Sequence, residues 1–204
     1  MTTAAISIAD ELNTDIAGLG ERLGCSVVQV HNGRGAGAGT IWHSDGLLLT
    51  NAHVADSNSL RVTLHDGTNV PGKILASDDR LDLAAVGIEA TGLPTIEIGE
   101  SKSLKAGQLV FAMGHPWGVR DALAAGVVIG VGTQWPDLSE HQREWVVVSL
   151  KLRPGNSGGP LVDAHGRLVG INSMITGPQV GMAVPVHVAK AFLRDSMKEP
   201  TAAG

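Results

Sequence analysis

Residues 153–162 read Arg153-Pro154-Gly155-Asn156-Ser157-Gly158-Gly159-Pro160-Leu161-Val162. A serine among three glycines and between two prolines is either an ordinary turn or a nucleophile on a sharp bend. In the second case adjacent backbone N–H groups converge on a developing oxyanion, and glycine permits the dihedrals this needs. Two protein classes use such a bend, and the residues just past the serine separate them. In one, a helix starts directly after it, with an acid and then a histidine further along. Here Gly158-Gly159-Pro160 is poor helix-starting material, the strand-like Leu161-Val162 comes next, and little chain remains. The other class orders its residues histidine, aspartate, serine, which can be sought upstream.

His53 follows the apolar run Leu47-Leu48-Leu49-Thr50 and the turn residue Asn51, so it is expected where a strand ends at a sheet rim. Asp82 stands in Leu81-Asp82-Leu83-Ala84-Ala85-Val86, an acid within an otherwise apolar strand. Aspartate is depleted from strands and costly to bury without hydrogen bonds. Burial beside an imidazole explains the placement; a solvent-facing acid on an edge strand is the alternative.

Around these residues the chain is built for strands. It has 204 residues, 43% apolar and 17% charged, with 27 glycines, two phenylalanines and no tyrosine. That suits one domain or two small ones, rich in tight turns, with a core of Val, Ile, Leu and Ala. Short β-prone runs bounded by Gly, Asn, Asp or Pro recur from Val27 to Val184, at the spacing of antiparallel sandwiches or barrels. Ile8, Leu12, Ile16, Leu19 and Leu23 predict one amphipathic helix over 7–23, with Ser7 and Asp10 as caps, and 187–198 predicts a closing helix. The polar stretch Gly99–Gly107 divides the strands into two comparable sets. The expected organisation is a helical segment at 1–24, barrels at 25–100 and 101–186, and a helix and tail at 187–204.

Composition also excludes functions. A formal net charge of -5 and no basic run argue against nucleic-acid binding. The single Cys25 rules out an intramolecular disulfide and reads as a small buried hydrophobe. The longest apolar stretch, Leu123–Val131, is about half of what crosses a bilayer, so no membrane span is expected. The N-terminus has no signal-peptide pattern, which predicts the cytoplasm for the chain as written, or an exported location if a leader was removed. Gly33–Ala38 mimics a dinucleotide-binding fingerprint but precedes β-like residues and reads as a flexible turn. Eight histidines form no HExxH pair, so no catalytic metal is expected; His115, His165 and His187 receive no chemistry.

Together TNAHV (50–54), DLAAV (82–86) and GNSGGPLV (155–162) resemble the trypsin-like serine proteases of the HtrA (Deg) branch, whose bacterial members lack disulfides. Similarity continues through Gly37–Thr40, Gly46–Thr50, Gly114–Gly118, Gly166–Asn172 and Gly181–Pro185, covering about residues 7–195. The resemblance implies an all-β fold of two packed six-stranded antiparallel barrels, flanked here by the N-terminal and C-terminal helices. It implies a cofactor-free endopeptidase acting on protein or peptide substrates, unfolded ones included, in protein quality control. His53 is then the general base, Asp82 its orienting partner and Ser157 the nucleophile, with an oxyanion hole at Gly155, Asn156 and Ser157. Asn156 enters that set for its backbone shape. Ser173 is placed to hydrogen-bond Asp82.

The same resemblance puts Lys151 and Leu152 at the base of the specificity pocket, Ser173, Met174 and Ile175 on one wall, and Gly181 and Met182 on another. Ile175 narrows that pocket and predicts cleavage after small aliphatic residues. Lys151 would select an acidic residue if it pointed inward, but lysine more often snorkels outward. As written, the chain ends soon after its last strand, without the PDZ domain most relatives carry, and the loop His31–Gly37 is short. Relatives form trimers through the N-terminal region; helix 7–23 either serves that purpose or packs on its own barrel, leaving a monomer. The rival function is a peptide-binding or chaperone-like module whose triad is silent or switchable.

Overall fold

The computed structural model describes residues 7–57, 59–133, 135, 143–177 and 179–196, with side chains left out for 174–177. Helix α1 (Ile8–Gly24) starts at Ser7, whose hydroxyl accepts the Asp10 N–H. Its last turns bury Leu19 and Leu23, while Ile8 and Leu12 face solvent.

Six strands then close a barrel in the order β1-β2-β3-β6-β5-β4: β1 (Val27–His31), β2 (Ala36–His43), β3 (Leu47–Thr50), β4 (Leu60–Thr63), β5 (Asn69–Asp78) and β6 (Leu83–Ile88). Six more close a second in the order β10-β11-β12-β9-β8-β7: β7 (Leu109–Gly114), β8 (Ala122–Gly132), β9 (Trp145–Ser149), β10 (Pro160–Asp163), β11 (Leu168–Gly177) and β12 (Val180–Pro185). All the strand pairings are antiparallel. Helix α2 (Val186–Ser196) comes last and packs on β11, β12 and β6. The predicted helix residues 197 and 198 lie outside the described residues.

The run after Asp82 is apolar on both faces of β6 because each face meets a different core. Ala84 and Val86 fill the first barrel with Val28, Val62 and Leu48, whereas Leu83 and Ala85 join Phe111, Met113, Trp145 and Phe192 between the barrels. This alternation is the period-two geometry of a strand buried on both sides.

Two local expectations change. Asp82 is not in a strand: it precedes β6 at φ 53, in the left-handed region that aspartate tolerates better than most residues. The Gly-Ala segment is a turn only to Gly35, where Asn32 Oδ1 accepts the Arg34 and Gly35 N–H groups. Beyond it, Ala36–Gly39 is strand, paired along β1 from His31↔Ala36 to Val28↔Gly39. Ladder pairing outweighs the low strand propensity of glycine and alanine.

Candidate active site

His53 stands on the helical turn after β3, where the Val54 and Ala55 N–H groups return to the Asn51 carbonyl. The Asn51 amide donates to the Asp82 carbonyl at 2.9 Å and fixes the unusual backbone there. The buried Asp82 carboxylate then has every donor it needs. Its Oδ1 accepts His53 Nδ1–H at 2.8 Å and the His53 backbone N–H at 3.2 Å, and its Oδ2 accepts the Ser173 hydroxyl at 2.5 Å. Burial pushes this carboxyl up, but the hydrogen bonds from His53 and Ser173 and the imidazole charge outweigh it and hold the group below the ordinary carboxylate range. With Nδ1 directed at a carboxylate, the half-exposed ring leaves its Nε2 edge for the cleft.

Ser157 is preceded by a turn in which Asn156 N–H donates to Arg153 O at 2.9 Å and Arg153 N–H donates to Asn156 Oδ1 at 2.8 Å. Gly155 occupies the left-handed position of that turn (φ 102), and its carbonyl is drawn away by the His115 N–H at 2.9 Å. Around the serine, the N–H groups of Asn156, Gly158 and Gly159 are all bonded to carbonyls. Those of Gly155 and Ser157 have no partner among the described residues, so two donors remain for an incoming oxygen. The Ser157 hydroxyl itself donates to the Ser173 carbonyl at 2.8 Å, and among the described residues no hydrogen bond joins it to His53.

The first barrel holds this turn directly: Ala38 N–H donates to Ser157 O at 2.8 Å and the Thr40 hydroxyl to Gly158 O at 3.1 Å. A Cβ on Gly158 (φ 85) would lie 2.0 Å from Ala38 O and 2.2 Å from Thr50 Oγ1. Gly158→Ala should therefore cost more than about 4 kcal/mol, the range of severe backbone strain with overpacking. A urea unfolding midpoint close to wild type would contradict this contact.

His53, Ser157 and Ser173 line one cavity of about 390 Å³, together with Leu152–Gly155 and with Asn32, Gly35–Gly37 and Val54. Of the expected specificity residues, Leu152 and Ser173 reach this cavity. Gly181 lies behind Leu152, with room for no Cβ: one would sit 2.9 Å from Leu152 Cγ. Met182 is not among the described residues that line this cavity. Its neighbour in the strand faces the other way, and Met182 is fully buried in the core between the barrels. Lys151 is exposed, so the acid-selecting inward pose is not adopted. Met174 and Ile175 pair with Met182 and Gly181 in β11, but their side chains lie outside those described.

Three supporting residues carry no signal in the sequence. Arg143, just before β9, donates to the Arg80 carbonyl at 2.7 Å and lies 4.0 Å above the Trp145 ring, tying the second barrel to the turn that carries Asp82. His187 links Ser101 (Nδ1 to Oγ, 2.8 Å) with Glu144 (Nε2 to Oε2, 2.9 Å) and so joins α2, the inter-barrel linker and the approach to β9. Ser101 is fully buried, so this second serine–histidine–acid array has no access to substrate.

His115 is the third. Its Nδ1 accepts the Asp121 N–H at 3.2 Å, which requires the unprotonated form. Burial pushes its pKa down, Asp121 opposing and Arg120 and His31 adding to the decrease. Because the folded value is below the unfolded one, the unfolded chain binds more protons between the two. Stability is then intact above about pH 6.5 and falls as pH drops through the folded value. His31, also lowered, acts in the same window, whereas Asp82 and Asp163, likewise lowered, weaken the fold only below about pH 4. Urea midpoints should therefore decline between pH 7 and 5, and less so in His115→Asn. A flat profile across that interval would refute the assignment.

Twin six-stranded barrels with a histidine, an aspartate and a serine along their shared cleft define the two-barrel serine peptidase class. Residues 37–171 match the trypsin-like peptidase domain family. The chain belongs to that family, and the relatives and solved structures it resembles include HtrA- and Deg-type proteases. It is 34% identical over 177 residues to the putative serine protease HhoB of Synechocystis sp., covering 82% of this chain and 42% of that protein. It is 39% identical over 159 residues to a probable periplasmic serine endoprotease DegP-like of Ectopseudomonas mendocina, covering 75% and 33%. Among solved structures, the HtrA-type protease AlgW with tripeptide superposes with TM-score 0.81 at 29% identity, covering 89% of this chain and 63% of that one. The serine endoprotease from Yersinia pestis gives 0.79 at 28%, covering 90% and 66%. The chain thus spans less than half the length of these curated relatives.

Proposed function

We propose that the protein is a serine endopeptidase working through Ser157, His53 and Asp82. The observation that carries this reading is the hydrogen-bonded Ser173–Asp82–His53 array facing Ser157 across one cavity, with two free N–H groups beside the serine. Substrate binding turns the Ser157 hydroxyl from the Ser173 carbonyl to His53 Nε2. His53 takes the proton as Oγ attacks the carbonyl carbon, Asp82 stabilises the imidazolium, and the Gly155 and Ser157 N–H groups receive the oxyanion. His53 then protonates the leaving amine, and water repeats the sequence to release the acid and restore Ser157.

Substrates in this proposal are proteins or peptides, unfolded segments included, as in protein quality control, and no cofactor takes part. A small aliphatic residue before the cut is inferred from the sequence position of Ile175 and is tested by a peptide-library cleavage profile. The DegP-like relatives are named periplasmic, and an exported location stands beside the cytoplasmic one read from the N-terminus; cell fractionation separates them. No described helix is long and apolar enough to cross a membrane. Sedimentation distinguishes a monomer from a trimer built through the exposed Ile8 and Leu12 of α1.

One observation favours the rival reading of a silent or switchable peptide-binding module: the Ser157 hydroxyl rests on the Ser173 carbonyl, not on His53. Incubation with a fluorophosphonate separates the two. Stoichiometric labelling that disappears in Ser157→Ala supports the peptidase, whereas a folded protein that takes no label supports the module.

A further inference from the structure

Twelve residues line the cavity at Ser157, and Arg153 alone among them carries a fixed charge. Its guanidinium lies 4.9 Å from the ring centroid of Trp117, a side chain 72% exposed on the loop after β7. The contact holds a long, flexible cation in place without neutralising it. Among the described residues no carboxylate pairs with Arg153. Two carboxylates of the first barrel are engaged elsewhere: Asp56 pairs with Arg34 at 2.6 Å, and Asp82 is bonded to His53 and Ser173. An immobilised, uncompensated guanidinium at the mouth of a peptide-sized cleft is suited to a carboxylate, which it can bind through two parallel hydrogen bonds.

Position narrows the choice further. His53 delivers a proton to the departing amine, so the leaving half of the substrate passes His53, Val54 and the turn Asn32–Gly37. Asn32, Gly35–Gly37, His53 and Val54 line the same cavity as Arg153. We propose that Arg153, braced by Trp117, selects substrates with an aspartate or glutamate in the first two residues after the cut bond. The chain as a whole carries a formal net charge of -5, but at a Debye length of about 10 Å in 0.1 M salt its distant carboxylates are screened while Arg153 is not. The proposal rests on the peptide-binding use of this cleft, and its test is arranged to fail separately from the peptidase reading.

A randomised decapeptide library is panned on Ser157→Ala, and the cleavage of matched Asp, Ala and Lys peptides is measured on the wild type. Acidic residues should be enriched on the first protein. Asp peptides should be cut about tenfold more efficiently in kcat/KM than Ala peptides, the effect of one charge-assisted contact. Arg153→Gln should remove the ratio, Arg153→Glu should invert it toward Lys, and Arg153→Lys should restore part of it. Each variant is referred to its own Ala peptide, so changes in overall rate cancel. Acid enrichment that is lost in Arg153→Gln, without any cleavage by the wild type, would sink the peptidase reading and leave Arg153 as an acid-selecting residue of a peptide-binding cleft. Panning and cleavage that are both indifferent to charge, or a ratio unaltered in Arg153→Gln, would overturn the inference alone.

Discussion

Ser157→Ala and His53→Ala should each lower turnover by about six orders of magnitude, and the double variant should fall little further, if nucleophile and base act as one unit as proposed. Without the imidazole the hydroxyl keeps the Ser173 carbonyl that it bonds at 2.8 Å, and a carbonyl cannot take its proton away. Without the hydroxyl, His53 has nothing to deprotonate. What remains should come from the Gly155 and Ser157 N–H groups and from binding. Multiplicative losses in the double variant, measured as kcat on one peptide, would contradict the shared role.

The second large effect is expected at Asp82. Asp82→Asn keeps the shape and removes the charge, and turnover should drop by about four orders of magnitude while the fold persists. Both Asp82 oxygens accept: Oδ1 from two His53 N–H groups and Oδ2 from Ser173. An amide can keep its oxygen on His53 only by turning its NH2 toward the Ser173 hydroxyl. In either orientation the imidazolium loses its counter-charge. Ser173→Ala, which removes one donor but leaves the charge, should cost far less. Equal losses in the two variants would mean that the carboxylate acts through position and not through charge.

The strands of both barrels are legible because their signals are local, period-two apolar residues closed by Gly, Asn, Asp and Pro. The Ser157 bend is legible for the same reason. Asp82 was readable as a partner for His53, but not as a left-handed residue outside the strand. Leu81–Val86 is continuously apolar apart from it, and what turns Asp82 out of β6 is the Asn51 amide, far away in sequence. Met182 shows the corresponding limit in the pocket. A strand residue's side depends on its parity, and the register Gly181↔Val148 and Met182↔Val147 assigns that parity only once β9 is in place.

By itself, then, the sequence determined the strand complement, the bend at Ser157 and the family to which the chain belongs, since each is written in short contiguous patterns. Only the tertiary structure decided which hydrogen bond the Ser157 hydroxyl makes, that Met182 on β12 faces the core between the barrels, that Arg153 lines the cavity, and that Arg143 reaches Arg80. These are outcomes of two closed sheets meeting, and partners such as Arg143 and Arg80 are joined by no local rule of helix, strand or turn.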